Sequence, residues 1–317
     1  MGSAAEVPGP GATEQRVEVL LAIARDFGMG IPLEQLRWLM AGSEDPSTPA
    51  EVEQWLRARP SLAEVHEGVA FLPGHTRPPS PERTARALHY ERCAKDLVSG
   101  PLSPAVRWTR CLAITGSVAY GNPEEGDDLD FLVIAREGAL WAFLAFTYLS
   151  VRLRVPRSSD RPSDWCFNHV LSEGAARSDY ASSRGLLFAR EALTARPLLG
   201  SGFYRELLHE AHWMRSELPR LYERCLEEFA ADPSPSPEGK APVLVRALNA
   251  LVFLPLASYL QVQGLLRNWR FRRSGRAEEA FRTRTHFTRL AYVSDRFDRL
   301  MAAYARASAR PPANAPT

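Results

Sequence analysis

The feature that most limits how this chain can fold is a polar turn set between two apolar runs. Thr115-Gly116-Ser117 follows Cys111 to Ile114, and ten residues after Ser117, Asp127-Asp128-Leu129-Asp130 leads into Phe131 to Ile134. Runs of this kind, bounded by turn residues, predict strands over 107–115 and 128–135. Residues i and i+2 of a strand share a face, so Asp128 and Asp130 project side by side while Leu129 and Phe131 turn into a core. Two carboxylates at that spacing repel each other unless a cation sits between them, and a hard, oxygen-seeking ion such as Mg²⁺ suits the pair. The Gly-Ser turn adds backbone N–H groups and a hydroxyl, the donors that hold a phosphate. The combination points to metal-dependent phosphoryl or nucleotidyl transfer. A merely solvated acidic turn would need neither this spacing nor a strand on each outer side.

Gly116-Ser117 followed by Asp128-Leu129-Asp130 resembles the signature of the DNA polymerase β-like nucleotidyltransferase superfamily. The segment Cys111 to Trp141 is similar to a group of prokaryotic nucleotidyltransferase-domain proteins, as are Cys166 to Ser172 and Ala189-Arg190-Glu191 running on to Gly200. The resemblance covers roughly residues 15–230. It implies an α/β (α+β) nucleotidyltransferase fold with a mixed sheet, NTP as substrate and Mg²⁺ or Mn²⁺ as cofactor. Asp128 and Asp130 would be the catalytic residues and metal ligands, and Gly116 and Ser117 would hold phosphates. Arg190 would bind the nucleotide by neutralising triphosphate charge. Neighbouring Arg190 and Glu191 cannot share one helix face, so at most one of them is expected at the site.

Working members of the superfamily use three carboxylates and two metal ions. The strand that would carry the third reads Cys166-Phe167-Asn168-His169, which makes Asn168 the nearest counterpart and a metal ligand only through a neutral amide oxygen. Three routes stay open. One metal could act with a base from the substrate or His169; Asp164 or Asp160 could swing in; or turnover could be lost and nucleotide binding kept. Strand alternation puts His169 on the opposite face from Asn168, in a structural role. Asp127 also alternates away and is read as a capping group, while Glu124 and Glu125 are read as solvated loop charges.

Composition narrows the rest. With 317 residues, 45% hydrophobic and 24% charged, the chain has the make-up of a globular protein with room for more than one domain. A net charge of +2 creates no global basic field that would demand nucleic acid. Cys93, Cys111, Cys166 and Cys225 are too scattered for a zinc site or a disulfide framework, and the N-terminal residues lack the apolar core of a secretory signal. A cytoplasmic protein is expected. The expected layout is a disordered leader over 1–13, a winged-helix-like domain over 14–77 and the nucleotidyltransferase domain over 78–232. A linker over 233–240, a helical C-terminal region over 241–308 and a disordered tail over 309–317 complete it.

In the first domain, three helical stretches precede a hairpin, 62–66 and 69–72, divided by Glu67-Gly68. Its candidate recognition helix opens Glu51-Val52-Glu53 and offers only Arg57 and Arg59, so a protein partner is expected there and DNA binding is not. Near the other end, Ala247 to Leu266 carries no charge and is followed by Arg267, Arg270, Arg272 and Arg273. Asn249, Pro255, Ser258, Gln261 and Gln263 argue against a membrane span, and the segment is read as a buried helix packed on 139–155, with membrane association not favoured. The function expected is transfer of a nucleoside monophosphate from NTP to a hydroxyl on RNA, protein or a small molecule. The alternative is a catalytically weak nucleotide-binding regulator whose winged helix engages a protein or DNA partner.

Overall fold

A computed structural model of the protein describes residues 12–26, 28–40, 45–75, 81–155, 161–182, 185–231, 234, 236–275, 277 and 280–294, together with 299 and 302. Nearly all of the expected leader, the whole of the expected tail, Pro78 to Ser80 and Asp160 lie outside these residues. The chain is mixed α/β, with one six-stranded mixed sheet, a small three-stranded sheet and many helices.

The N-terminal part comprises α1 (Ala12–Asp26), β1 (Ile31–Pro32), α2 (Leu33–Leu39), α3 (Pro49–Arg57), β2 (Glu64–His66) and β3 (Val69–Phe71). Helix α3 is started by a reciprocal cap. The Thr48 hydroxyl accepts from the Glu51 amide, and the Glu51 carboxylate accepts from the Thr48 amide, both at 3.2 Å. Strands β2 and β3 turn at Glu67 and Gly68, whose φ angles of 48° and 76° suit the two-residue hairpin that matches strand twist. Arg57 pairs with Glu53 and Arg59 with Glu14.

These residues do not form the separate unit that the sequence suggests. Val17, Leu20, Leu36 and Leu56 belong to one continuous buried cluster with Leu207, Leu218 and Tyr222, far along the chain. Arg220 fastens the junction by donating to the carbonyls of Pro46 at 2.6 Å and Asp45 at 2.7 Å. The apolar stripe of α2 has no solvent face to itself, so burial against the main body overrides local autonomy.

Next come α4 (Pro81–Ser99), α5 (Ser103–Val106), β4 (Thr109–Thr115), α6 (Gly116–Ala119), β5 (Leu129–Ala135), α7 (Leu140–Arg154) and β6 (Trp165–Ser172). They are followed by α8 (Glu173–Ala181), α9 (Gly185–Thr194), β7 (Arg196–Leu199), α10 (Ser201–Glu210), α11 (Trp213–Glu217) and α12 (Pro219–Ala231). Three helices thus cover residues 201–231, and α12 restarts at Pro219, a residue suited to a first helical turn and not to an interior one. The chain ends with α13 (Val243–Arg273), β8 (Phe281–His286) and β9 (Arg289–Ser294).

The large sheet has the order β7-β4-β5-β6-β9-β8, parallel only between β5 and β6, which α7 connects. Alternation along β5 divides the core. Leu129, Phe131, Val133 and Ala135 join the cluster of α4, α7 and α13, while Leu132 and Ile134 join that of the N-terminal part and α8 to α12. Phe131 stacks on Phe167 at 5.0 Å between ring centres, which locks β5 to β6 beneath the acidic residues.

The C-terminal region differs from expectation in three ways. It is not wholly helical: Phe281–His286 and Arg289–Ser294 form a hairpin that extends the sheet through β6, with His169 opposite Ala291. Its exposed Arg282, Arg284 and His286 alternate with half-buried Phe281, Thr283 and Thr285, a period-two pattern hidden by the surrounding arginines. Residues 236–240 are not a free linker, because Arg136 donates to the carbonyls of Glu238, Gly239 and Lys240, and Arg110 to that of Pro237. Helix α13 does pack on α7, but it is not buried. Only Asn249, Ala257, Leu260 and Gly264 are fully buried, and Leu244, Leu251, Leu254 and Leu265 are each more than two thirds exposed.

Candidate metal and nucleotide site

Strands β4 and β5 run antiparallel with Thr115 opposite Asp130, so the chain leaves β4 at the level where the carboxylates begin. Gly116 takes the next position at φ 67° and carries the chain into α6. A side chain there would be strained, and its Cβ would run into Asp130 Oδ2. Gly116 is therefore required by the carboxylate as well as by the turn. Ser117 follows in α6, and its carbonyl accepts from the Asn122 amide at 3.0 Å.

The loop into β5 is closed by Asp127, whose carboxylate accepts from the Glu124 amide at 2.8 Å while its carbonyl accepts from Ser163 at 3.1 Å. Asp127 is thus a turn cap. Glu124 pairs with Arg83, and Glu125 is exposed. Asp164 is exposed and accepts from its own neighbour, the Trp165 amide, at 2.8 Å, so it does not join the carboxylates.

Asp128 and Asp130 are half-buried and face a second pair of side chains from β6. The Cys166 thiol donates to Asp128 Oδ2 at 2.8 Å, and the Asn168 amide nitrogen donates to Asp130 Oδ1 at 2.6 Å. Ligand atoms of Asp128, Asp130 and Cys166 all lie within 4.8 Å of one another. The expected third ligand position is therefore shared differently. Asn168 presents its nitrogen to Asp130 and braces it, while Cys166, which the sequence reading did not select, stands beside Asp128.

A register shift then adds one more residue to this face. Asp130 lies opposite Cys166, but Leu132 lies opposite His169, so β6 spends one more residue than β5 over the same span. The bulge overturns simple alternation and puts His169 on the Asp130 side of the sheet, in line with Leu132. A bulge of one residue leaves no mark in the sequence of β6.

Negative charge is concentrated at this strand end. Burial, then the charges of Asp128 and Glu191, push the Asp130 carboxyl from its ordinary value of 3.8 up to about 8, against the opposing pull of the Asn168 hydrogen bond. Burial and the adjacent Asp128 raise the Cys166 thiol as well, which keeps it protonated and a donor. The donor set toward an ion is thus two carboxylates with a neutral thiol and amide alongside. This suits one hard divalent ion and supplies no thiolate for a soft one. A bound cation would offset the repulsion that now holds a proton at Asp130.

Glu191 is the second residue the sequence reading passed over, having selected its neighbour. It accepts from the Tyr120 hydroxyl, and burial raises its carboxyl while Arg190 works in the other direction. Arg190 turns elsewhere. It is buried, lies with its guanidinium 4.5 Å from the centre of the Tyr120 ring, and lines a cavity of about 610 Å³ whose walls include neither Asp128 nor Asp130. Its Nε and Nη1 have no hydrogen-bond partner. Lys95, Arg196 and Arg224 also line this cavity; Lys95 and Arg196 share Glu91, and Arg224 faces Glu228 at 4.0 Å. Both side chains meet Tyr120, Glu191 at its hydroxyl and Arg190 over its ring, and Arg190 also lines the cavity.

No family model matches this chain, and neither does any curated protein or solved structure in the comparisons made.

Proposed function

We propose that the protein is a divalent-metal-dependent nucleotidyltransferase of the polymerase β-like fold, with NTP as substrate and a hydroxyl as acceptor. The observation that carries this reading is the convergence of Gly116, Asp128 and Asp130 at one strand end, where an L side chain at position 116 would displace a carboxylate. Asp128 and Asp130 are the residues that would hold Mg²⁺ or Mn²⁺. Such an ion, when bound, supplies charge neutralisation for the phosphates and acidifies the attacking hydroxyl. The turn at Gly116 and Ser117 directs the triphosphate toward that pair, and the phenyl rings beneath fix the strand that carries it.

One observation favours a second reading. Among the described residues the third corner of the site is a thiol and an amide, Cys166 and Asn168, where a carboxylate would deprotonate a nucleophile. A nucleotide-binding regulator with little turnover would be built this way. Transfer of α-labelled NTPs onto cell RNA, cell protein and the protein itself separates the two. Label that appears with Mg²⁺ or Mn²⁺ and vanishes in Asp128→Ala/Asp130→Ala establishes the transferase. Saturable NTP binding with no label in any fraction rejects it in favour of the regulator.

A further inference from the structure

Helix α13 has 31 residues, about 46 Å at helical rise, and one of its long faces is open and apolar. Leu244, Leu248, Leu251, Val262, Leu265 and Trp269 recur along it at spacings that bring them to the same side, all substantially exposed. Such a stripe far exceeds the scattered apolar residues of an ordinary surface helix.

The opposite face is fastened lengthwise to the sheet domain. Asn249 Oδ1 accepts from the Trp141 amide at 2.7 Å, Gln261 donates to Thr285 at 2.6 Å, and Asn268 both donates to and accepts from the backbone of Phe281. A helix bonded to a folded domain along its length cannot stand across a bilayer, where those groups and the strands behind them would lose water. It can lie flat on one.

Charge selects the occupant. Between Glu238 and Glu278 the chain has no acidic residue, while α13 carries Arg246, Arg267, Arg270, Arg272 and Arg273. The neighbouring strand adds exposed Arg282 and Arg284. Exposed Tyr259 and Trp269 are residue types that settle at the headgroup level. Among the described residues α13 and β8 carry no anion, so a second copy of the same surface would set cations against cations, whereas anionic headgroups complement them. We propose that α13 docks the protein on an anionic lipid bilayer as an interfacial helix, its apolar face in the acyl boundary and its C-terminal arginines among the headgroups.

Cosedimentation of the full chain with phosphatidylcholine vesicles, with and without phosphatidylglycerol, tests this. Binding is expected to the phosphatidylglycerol vesicles and to weaken with salt. Arg270→Gln/Arg272→Gln/Arg273→Gln should lower the partition coefficient about tenfold or more. Leu251→Glu/Leu265→Glu should remove binding, and because both side chains are exposed, the circular dichroism of the variant should match that of the parent. If the glutamate variant does not fold, the arginine variant and the salt series still decide. A full chain that stays in the supernatant with phosphatidylglycerol vesicles overturns the proposal. So does a lipid-free dimer by light scattering that the glutamate pair dissolves.

Discussion

At the scale of single residues, position 116 and position 130 constrain each other. Gly116→Ala combines a positive φ with a Cβ directed at Asp130 Oδ2, and the strain of a left-handed L residue alone is about 1–2 kcal/mol. Divalent-ion affinity should fall about tenfold or more, with secondary structure retained, as read by Mn²⁺ titration and circular dichroism. Asp130 also sets a pH signature. Its folded value of about 8 lies above its ordinary 3.8, so between these values the folded chain holds a proton that the unfolded chain has lost. Stability from this group is full below about pH 4, falls as pH rises through the window, and levels off above about pH 8. In EDTA, Asp130→Asn should therefore melt higher than the parent at pH 8, and the difference should shrink toward pH 4. A difference that does not change with pH contradicts the raised carboxyl. The pairing of Asp128 with Asp130 was legible because period two is a backbone property. Cys166 and Glu191 were not, since the register of β6 against β5 and the rotation of α9 bring them in.

At the scale of elements, the best-connected joint is between α7 and α13. The first residues of α7 have no local side-chain cap, and Asn249 supplies one from α13, accepting from the Trp141 and Ala142 amides at 2.7 and 3.4 Å. Asn249→Ala should cost about 1–2 kcal/mol in denaturant unfolding, because it leaves buried donors without a partner. An unchanged midpoint would show that the cap adds nothing. Asn249 looked from sequence like an argument about membranes, and its real partner is a helix end about a hundred residues away. The hairpin of β8 and β9 was missed for a related reason. Its strands earn their place by pairing with the edge of β6, a contact that no local pattern announces. The helices and hairpin of the N-terminal part carry local signals, the Thr48-Glu51 cap and the Glu67-Gly68 turn, and these could be read directly.

At the scale of the whole molecule, the shared core of the N-terminal part and α8 to α12 means that the two should not separate. A protease site inserted between residues 75 and 81 should give two pieces that still co-elute on gel filtration, and pieces that elute apart would restore the view of independent domains. The same packing sets the Arg190 cavity between α2, α9 and α12, beside the α6 turn, with walls that include neither Asp128 nor Asp130. The sheet thus presents acidic residues at one strand end, while a basic cavity lies against its β7 edge and an apolar helix covers its opposite flank. Everything proposed about chemistry depends on the first of these. The most direct test is calorimetric titration of Mn²⁺ into EDTA-stripped protein at pH 8.5, with Asp128→Asn and Asp130→Asn alongside. A metal site at this pair gives one saturable site in the parent, lost in both variants. No binding in the parent, or equal binding in all three, would contradict it.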